Sequence, residues 1–303
     1  MDVIEELRNV GARRVFLQLP EGLFLEIEKF KKMLEENGFE VVICLEPTYG
    51  ACDVRDEEAI RLGCDAILHV GHTDFGVKSK IPVIYWEYVL EKKLDRKLKS
   101  LLKRIKEKRV GLVASVQYIK LMEEVREFLE SNGKVVCTRK ILKYPGQVIG
   151  CNVKAATSLN DTVDCFVCVS SGKFHALGVS LEVTKPVYLL DVELKKLVNM
   201  EKEKRKYEKI VAWNKSALEE AKKVGILVSW KKGQLNTQLL EIVKSKLEAM
   251  GKEVFVLAFD TIAPEKLEGL KFDVFINLAC PRIGIDDIDR FKTPVINAID
   301  LLK

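Results

Sequence analysis

The sequence predicts an α/β fold of three repeated βαβ-type domains, at 1–100, 101–200 and 201–303, with parallel sheets around a pseudo-threefold central site. Two observations carry this reading. Near-continuous Val/Ile/Leu runs alternate with helix-period stretches, the mark of parallel strands covered on both faces. The same order of such segments also occurs three times along the chain.

Each repeat opens with a basic or polar turn and an apolar strand: RRVFLQLPEG from Arg13, KRVGLVASVQ from Lys108 and KKVGILVSWKKGQ from Lys222. A helical stretch follows, LEIEKFKKMLEENG, IKLMEEVREFLESNG or LNTQLLEIVKSKLEAMG. Its closing glycine is a C-cap signal, because glycine enters the left-handed region at little cost. A second strand comes next (FEVVICLE, KVVCTRKIL, KEVFVLAF), then a third (CDAILHVGH, VDCFVCVSSG, FDVFINLACPR), then a proline-led fourth (IPVIYWE, KPVYLLDVE, TPVINAID). Charged stretches, VLEKKLDRKLKSLLKRIKEK and VELKKLVNMEKEKRKYEKIVAWNKSALEEAKK, read as linker helices. Open parallel sheets bind ligands beyond the carboxyl ends of their strands. Three such ends pointed at one axis would let residues remote in sequence meet.

With 303 residues and 48% apolar content, the chain can bury a large core. Its net charge of +5 is a small difference between 50 basic and 45 acidic residues, and the lysines are interleaved with glutamate. Solvated helix faces are therefore expected, with no direct nucleic-acid binding. The start, MDVIEELRNVGARR, has no apolar core of a signal peptide, and no run approaches the roughly 20 apolar residues of a membrane span. A soluble, cytoplasmic protein with no membrane partner is expected. In that compartment the eight cysteines stay reduced and serve packing, metal or catalysis rather than disulfides.

Cys44, Cys64, Cys137, Cys165 and Cys168 lie in or directly before apolar strands and read as core. The CxxC of Cys165 and Cys168 does not read as a metal knuckle, since residues three apart in a strand point to opposite faces. Cys52, Cys151 and Cys280 differ. Each falls in a loop beyond a strand, one per repeat, beside Gly or Pro, where backbone can closely approach a bulky inorganic group. Three thiolates suit a [4Fe–4S] cluster with one iron open. Structural zinc, with His72 or His175 as fourth ligand, is the alternative. The CxxxCxxC signature of radical enzymes is absent.

The segments QLPEG (18–22), PTYGACD (47–53), HVGHTDF (69–75), GQVIGCN (146–152), SSGKFHALG (170–178) and ACPRIGIDD (279–287) span essentially the whole chain. Together they resemble the archaeal 2-(3-amino-3-carboxypropyl)histidine synthase family, which takes the first step of diphthamide formation. The resemblance implies a [4Fe–4S] cluster on Cys52, Cys151 and Cys280 and S-adenosylmethionine as co-substrate. It implies non-classical radical chemistry that breaks the bond from sulfur to the methionine γ-carbon. The 3-amino-3-carboxypropyl group would pass to C2 of a histidine on translation elongation factor 2. A homodimer and an external electron donor belong to the same picture.

In that setting the co-substrate carboxylate calls for a cation with fork geometry, and Arg282 follows Cys280 closely. The backbone of Ser170, Ser171 and Gly172, with His175, is a further candidate, as are Gln234, read as ending the first strand of repeat three, and Gln18 and Glu21 at the matching strand end of repeat one. The plainer readings are an Arg282 ion pair with Asp286 or Asp287, capping or loop roles for Gln18 and Gln234, packing for His175, and a strand-end role for His72. Two rival functions stand beside this one: a quinolinate synthase-like [4Fe–4S] dehydratase, and a non-catalytic, cluster-bearing partner subunit.

Overall fold

The structure is a computed structural model describing residues 2–303; Met1, at the head of the predicted first repeat, lies outside them. It divides into two units, one running to Val89 and including Lys231–Gly233, the other holding Leu90–Trp230 and Gln234–Lys303.

In the first unit the strands are β1 (Arg14–Gln18), β2 (Glu40–Ile43), β3 (Ala66–Val70) and β4 (Val83–Trp86), ordered β2-β1-β3-β4 and all parallel. Helices α1 (Val3–Asn9), α2 (Ile27–Glu36) and α3 (Asp56–Arg61) belong to the same unit. In the second unit α4 (Arg96–Leu102) precedes a sheet of β5 (Arg109–Ala114), β6 (Val135–Cys137), β7 (Cys165–Ser170), β8 (Val187–Asp191) and β9 (Lys196–Asn199). Its order is β6-β5-β7-β8-β9, with helices α5 (Ile119–Ser131), α6 (Lys154–Thr157) and α7 (Phe174–Glu182). Helix α8 (Glu201–Glu220) leads to β10 (Lys223–Ser229), α9 (Thr237–Ala249), β11 (Glu253–Phe259), β12 (Val274–Asn277), β13 (Val295–Asn297) and α10 (Ala298–Leu302). That last sheet is parallel in the order β11-β10-β12-β13.

Three parallel-dominated sheets thus follow the predicted segments, and equivalent details recur in each. The glycines after α2, α5 and α9 sit at φ +86° (Gly38), +78° (Gly133) and +75° (Gly251), the left-handed C-caps expected. An aspartate ahead of each third strand clasps the backbone N–H entering the first strand. Asp65 accepts from Arg13 and Arg14, Asp164 from Arg109, and Asp273 from Lys222 and Lys223. Cys44, Cys64, Cys165 and Cys168 are buried as expected, whereas Cys137 is only half-buried. Cys168 packs in the cluster with Phe166 while Cys165 does not, consistent with opposite faces of β7. Burial pushes both thiols up to about 12.

The linkers differ from expectation. The first is helical only over α4, whose N-cap Asp95 accepts from Leu98 N–H. The second begins with β9, antiparallel to β8, before α8 starts. Asp191 ends β8 and its Oδ1 accepts from Leu194 N–H, while Lys195 takes φ +49°; this turn reverses the chain where the charge pattern read as helix. Among the described residues no helix is long and apolar enough to cross a membrane.

Candidate metal and co-substrate site

Cys52 sits in the loop between β2 and α3, and that loop is held at Thr48, Asp53 and Arg55. The fully buried Gln18, last residue of β1, donates from Nε2 to Asp53 O (3.1 Å) and Thr48 Oγ1 (3.4 Å), and its Oε1 accepts from Arg55 N–H (3.0 Å). The amide offered as a co-substrate ligand is therefore occupied as a strut of the Cys52 loop. Glu21 is exposed at the start of the 3-10 turn Glu21–Glu26.

A second hold comes from far along the chain. Lys231 Nζ lies 2.7 Å from Asp53 Oδ2, a pair buried on both sides, and Lys232 Nζ meets the buried Asp56 at 2.6 Å. Gly233 N–H donates to Cys52 O at 3.0 Å. A Cβ on Gly233 would stand 2.5 Å from Cys52 Cα, so only glycine fits there. Burial alone would raise Asp56, yet Lys232 and the Lys80 N–H outweigh it and hold the carboxyl below its ordinary value. No local pattern marks this clamp, because its halves are 178 residues apart at Lys231 and Asp53.

His72 lies just beyond β3, and its Nδ1 is 3.2 Å from Nε2 of the fully buried His69. Burial, then His72, pushes His69 down to about 3, so it is neutral across the physiological range. His69 registers against Tyr85 on β4, with ring centroids 5.0 Å apart. Burial first, then Asp74 and Cys52, pushes the Tyr85 hydroxyl up to about 12.

In the second unit Cys151 is exposed on the loop after β6, where Ile149 and Asn152 form an isolated bridge. Helix α7 is its mount. A Cβ on Gly150 would lie 2.0 Å from the Phe174 ring, and a Cβ on Gly178 3.0 Å from Gly150 O. Arg282 stacks on the same Phe174 ring, its guanidinium 5.6 Å from the centroid. One aromatic ring thus touches the neighbours of both Cys151 and Cys280. Cys280 itself caps the 3-10 turn Pro281–Gly284. The register pair Asn277 and Asn297 props that turn: Asn277 Nδ2 donates to Cys280 O (2.9 Å) and Asn297 Oδ1 (2.7 Å), and Asn297 Nδ2 donates to Pro281 O (3.1 Å).

Arg282 also donates from Nε to Asp286 Oδ2 at 3.0 Å, so the anticipated ion pair is present. Its side chain remains half exposed. Ser171 and Gly172 are exposed, but the Gly172 N–H is directed to Asp191 Oδ2 at 3.3 Å. His175 has a buried Nδ1 without a hydrogen-bond partner among the described residues, and burial, then Arg282, pushes the ring down to about 4. Gln234 does not end a strand: β10 stops at Ser229, and Gln234 lies in the turn before α9. Residues 231–233, between that strand and Gln234, hold the Cys52 loop.

Cys52 falls in the first unit, Cys151 and Cys280 in the second. Among the described residues no group of three or more His, Cys, Asp or Glu side chains stands gathered for a metal ion. The donor set fits an iron–sulfur cluster in its chemistry, three thiols on loops, with Gly50 two residues before Cys52, Gly150 before Cys151 and Pro281 after Cys280.

Residues 19–302 match the family described as "Putative diphthamide synthesis protein". The chain is 34% identical to 2-(3-amino-3-carboxypropyl)histidine synthase of Pyrococcus horikoshii, over 97% of this chain and 86% of the relative. It is 28% identical to the protein of that name in Methanocaldococcus jannaschii (97% and 85%) and 28% identical to human 2-(3-amino-3-carboxypropyl)histidine synthase subunit 1 (97% and 68%). The crystal structure of Dph2 from Pyrococcus horikoshii with a 4Fe–4S cluster superimposes with a TM-score of 0.89 at 31% identity, covering 99% of this chain and 88% of that one. The chain belongs to the diphthamide synthesis protein family.

Proposed function

We propose that this chain is a 3-amino-3-carboxypropyl transferase, moving that group from S-adenosylmethionine to C2 of a histidine on translation elongation factor 2, the first step of diphthamide formation. The observation that carries the reading is the likeness, along 99% of the chain, to a relative solved with a 4Fe–4S cluster. The names of the relatives support the reaction class. In this reading the repeats 1–100, 101–200 and 201–303 surround a pseudo-threefold axis, and each brings one thiolate, Cys52, Cys151 or Cys280, to a single [4Fe–4S] cluster. The protein works in the cytoplasm as a homodimer with an external electron donor.

The bound cluster supplies a one-electron reduction that divides the sulfonium at the γ-carbon, leaving methylthioadenosine. The chain's own residues orient and shield. Gln18, Asp53, Lys231 and Gly233 fix the Cys52 loop, and Phe174 with the Asn277–Asn297 pair fixes the other two loops. Arg282, braced on Phe174, offers its terminal nitrogens to the co-substrate carboxylate. Ser171, Gly172, His175, Gln234 and Glu21 complete the proposed co-substrate surroundings, with Gln18 acting through the loop it supports. The test is anaerobic incubation of reduced chain with carboxyl-labelled S-adenosylmethionine and elongation factor 2. Label on the factor together with methylthioadenosine is the expected result; methylthioadenosine absent and the factor unlabelled would contradict it.

A further inference from the structure

The sheet edges of this molecule are not alike. β2, β4 and β9 are four residues long, and β6 and β13 only three. β11 is an edge strand of seven residues, EVFVLAF, with its single charge at one end. Phe255 and Val256, on opposite faces, are 38% and 43% exposed. A long, apolar, uninterrupted edge is a template for another strand, and proteins ordinarily shorten, charge or cover such edges. This protein does so at its other edges.

The ladder to β10 fixes which backbone groups remain. Glu253 N–H donates to Lys222 O, and Phe259 O accepts from Trp230 N–H, so the odd-numbered residues of β11 face β10. Val254, Val256 and Ala258 therefore turn their N–H and C=O outward, and none of these groups has a partner among the described residues.

We propose that a second copy of this chain adds antiparallel to β11 across a two-fold axis at Val256, joining two four-stranded sheets into one. This locates the contact of the homodimer proposed above and rests on that reading. The register follows from self-complementarity. Centred on Val256, each outward-facing residue meets an outward-facing residue: Val256 faces its own copy and Val254 faces Ala258, each pair exchanging two hydrogen bonds. A shift of two residues either way forfeits a pair. On the other face Phe255 meets Leu257 of the copy, apolar against apolar. Just beyond the strand, the same register sets the cationic Lys252, whose Nζ caps Glu219 O and Ala221 O, across from Asp260.

The test is the mass of the intact chain by light scattering at micromolar concentration, for the native protein, Val256→Pro and Val256→Cys. Proline at Val256 removes an outward N–H and no bond of the β10 ladder, so the protomer keeps its fold while the central pair is lost. The native chain is expected at twice 34.4 kDa and Val256→Pro at 34.4 kDa with its circular dichroism retained. Copies of Val256→Cys should cross-link under mild oxidation, since a facing pair about 5.5 Å apart at Cα lies within disulfide reach; Phe255→Cys, placed on a diagonal, should not. A native dimer that survives Val256→Pro, or a Val256→Cys chain that does not cross-link, overturns the β11 contact alone. A monomeric native chain overturns the homodimer reading and this proposal with it.

Discussion

Asp53 and Lys231 face each other in a place almost closed to water, and the buried Arg55 lies 3.6 Å from the other Asp53 oxygen. Lys231→Met should cost about 1–3 kcal/mol by removing one of the two cations that meet the buried Asp53, Arg55 remaining at 3.6 Å, read as a shifted denaturation midpoint of the intact chain. The neighbouring Asp56 gives the clamp a pH dependence. Its folded value lies below the unfolded one, so its contribution is present above about 4 and is lost as pH falls through the folded value. Asp56→Asn should therefore flatten the loss of stability between pH 5 and pH 3 relative to the native chain, measured by denaturation at each pH; an unchanged slope would refute the assignment. At Gly233 the obstacle is backbone. Gly233→Ala forces Cys52 Cα to move and should cost about 1–3 kcal/mol while speeding alkylation of Cys52. Sequence alone did not show these residues as a set. Lys231 and Lys232 stand in KKVGILVSWKKGQ with no role assigned from sequence, and their partners are adjacent only after folding.

At the scale of elements the sequence was most legible where backbone rules are strict. Gly38, Gly133 and Gly251 marked helix ends because only glycine enters that region cheaply, and the central strands β1, β5 and β10 were readable as unbroken apolar runs. It was least legible where a turn is made by side-chain hydrogen bonding, as at Asp191, so β9 was hidden inside a charged linker. Gln234 was misplaced for a related reason: nothing local distinguishes the end of a strand from a segment drawn away to another partner. Helix α7 makes the functional consequence testable. Its Phe174 ring separates Gly150 from Arg282, so Phe174→Ala should cost up to about 3 kcal/mol and raise the alkylation rate of Cys151 several-fold. Phe174→Tyr, which keeps the wedge, should restore the native rate. Equal rates in all three chains would mean that the ring does not hold the loop.

For the whole molecule, triplication is what turns scattered cysteines into a candidate site. Periodicity predicted three parallel-dominated sheets, and the recurring Asp65, Asp164 and Asp273 clasps show how alike the repeats remain in detail. The choice of Cys52, Cys151 and Cys280 over Cys165 and Cys168 rested on loop against strand, and the buried thiols of β7 agree with it. The reaction itself was never legible in periodicity; it came from motif resemblance, and the family membership supports it. The most direct test is iron and acid-labile sulfide content after anaerobic purification, for the native chain and for Cys52→Ala, Cys151→Ala, Cys280→Ala and Cys165→Ala. About four irons are expected in the native and Cys165→Ala chains, and a lost or degraded cluster in each of the other three. Zinc in the native chain, or full iron retained by any of those three variants, would contradict that expectation.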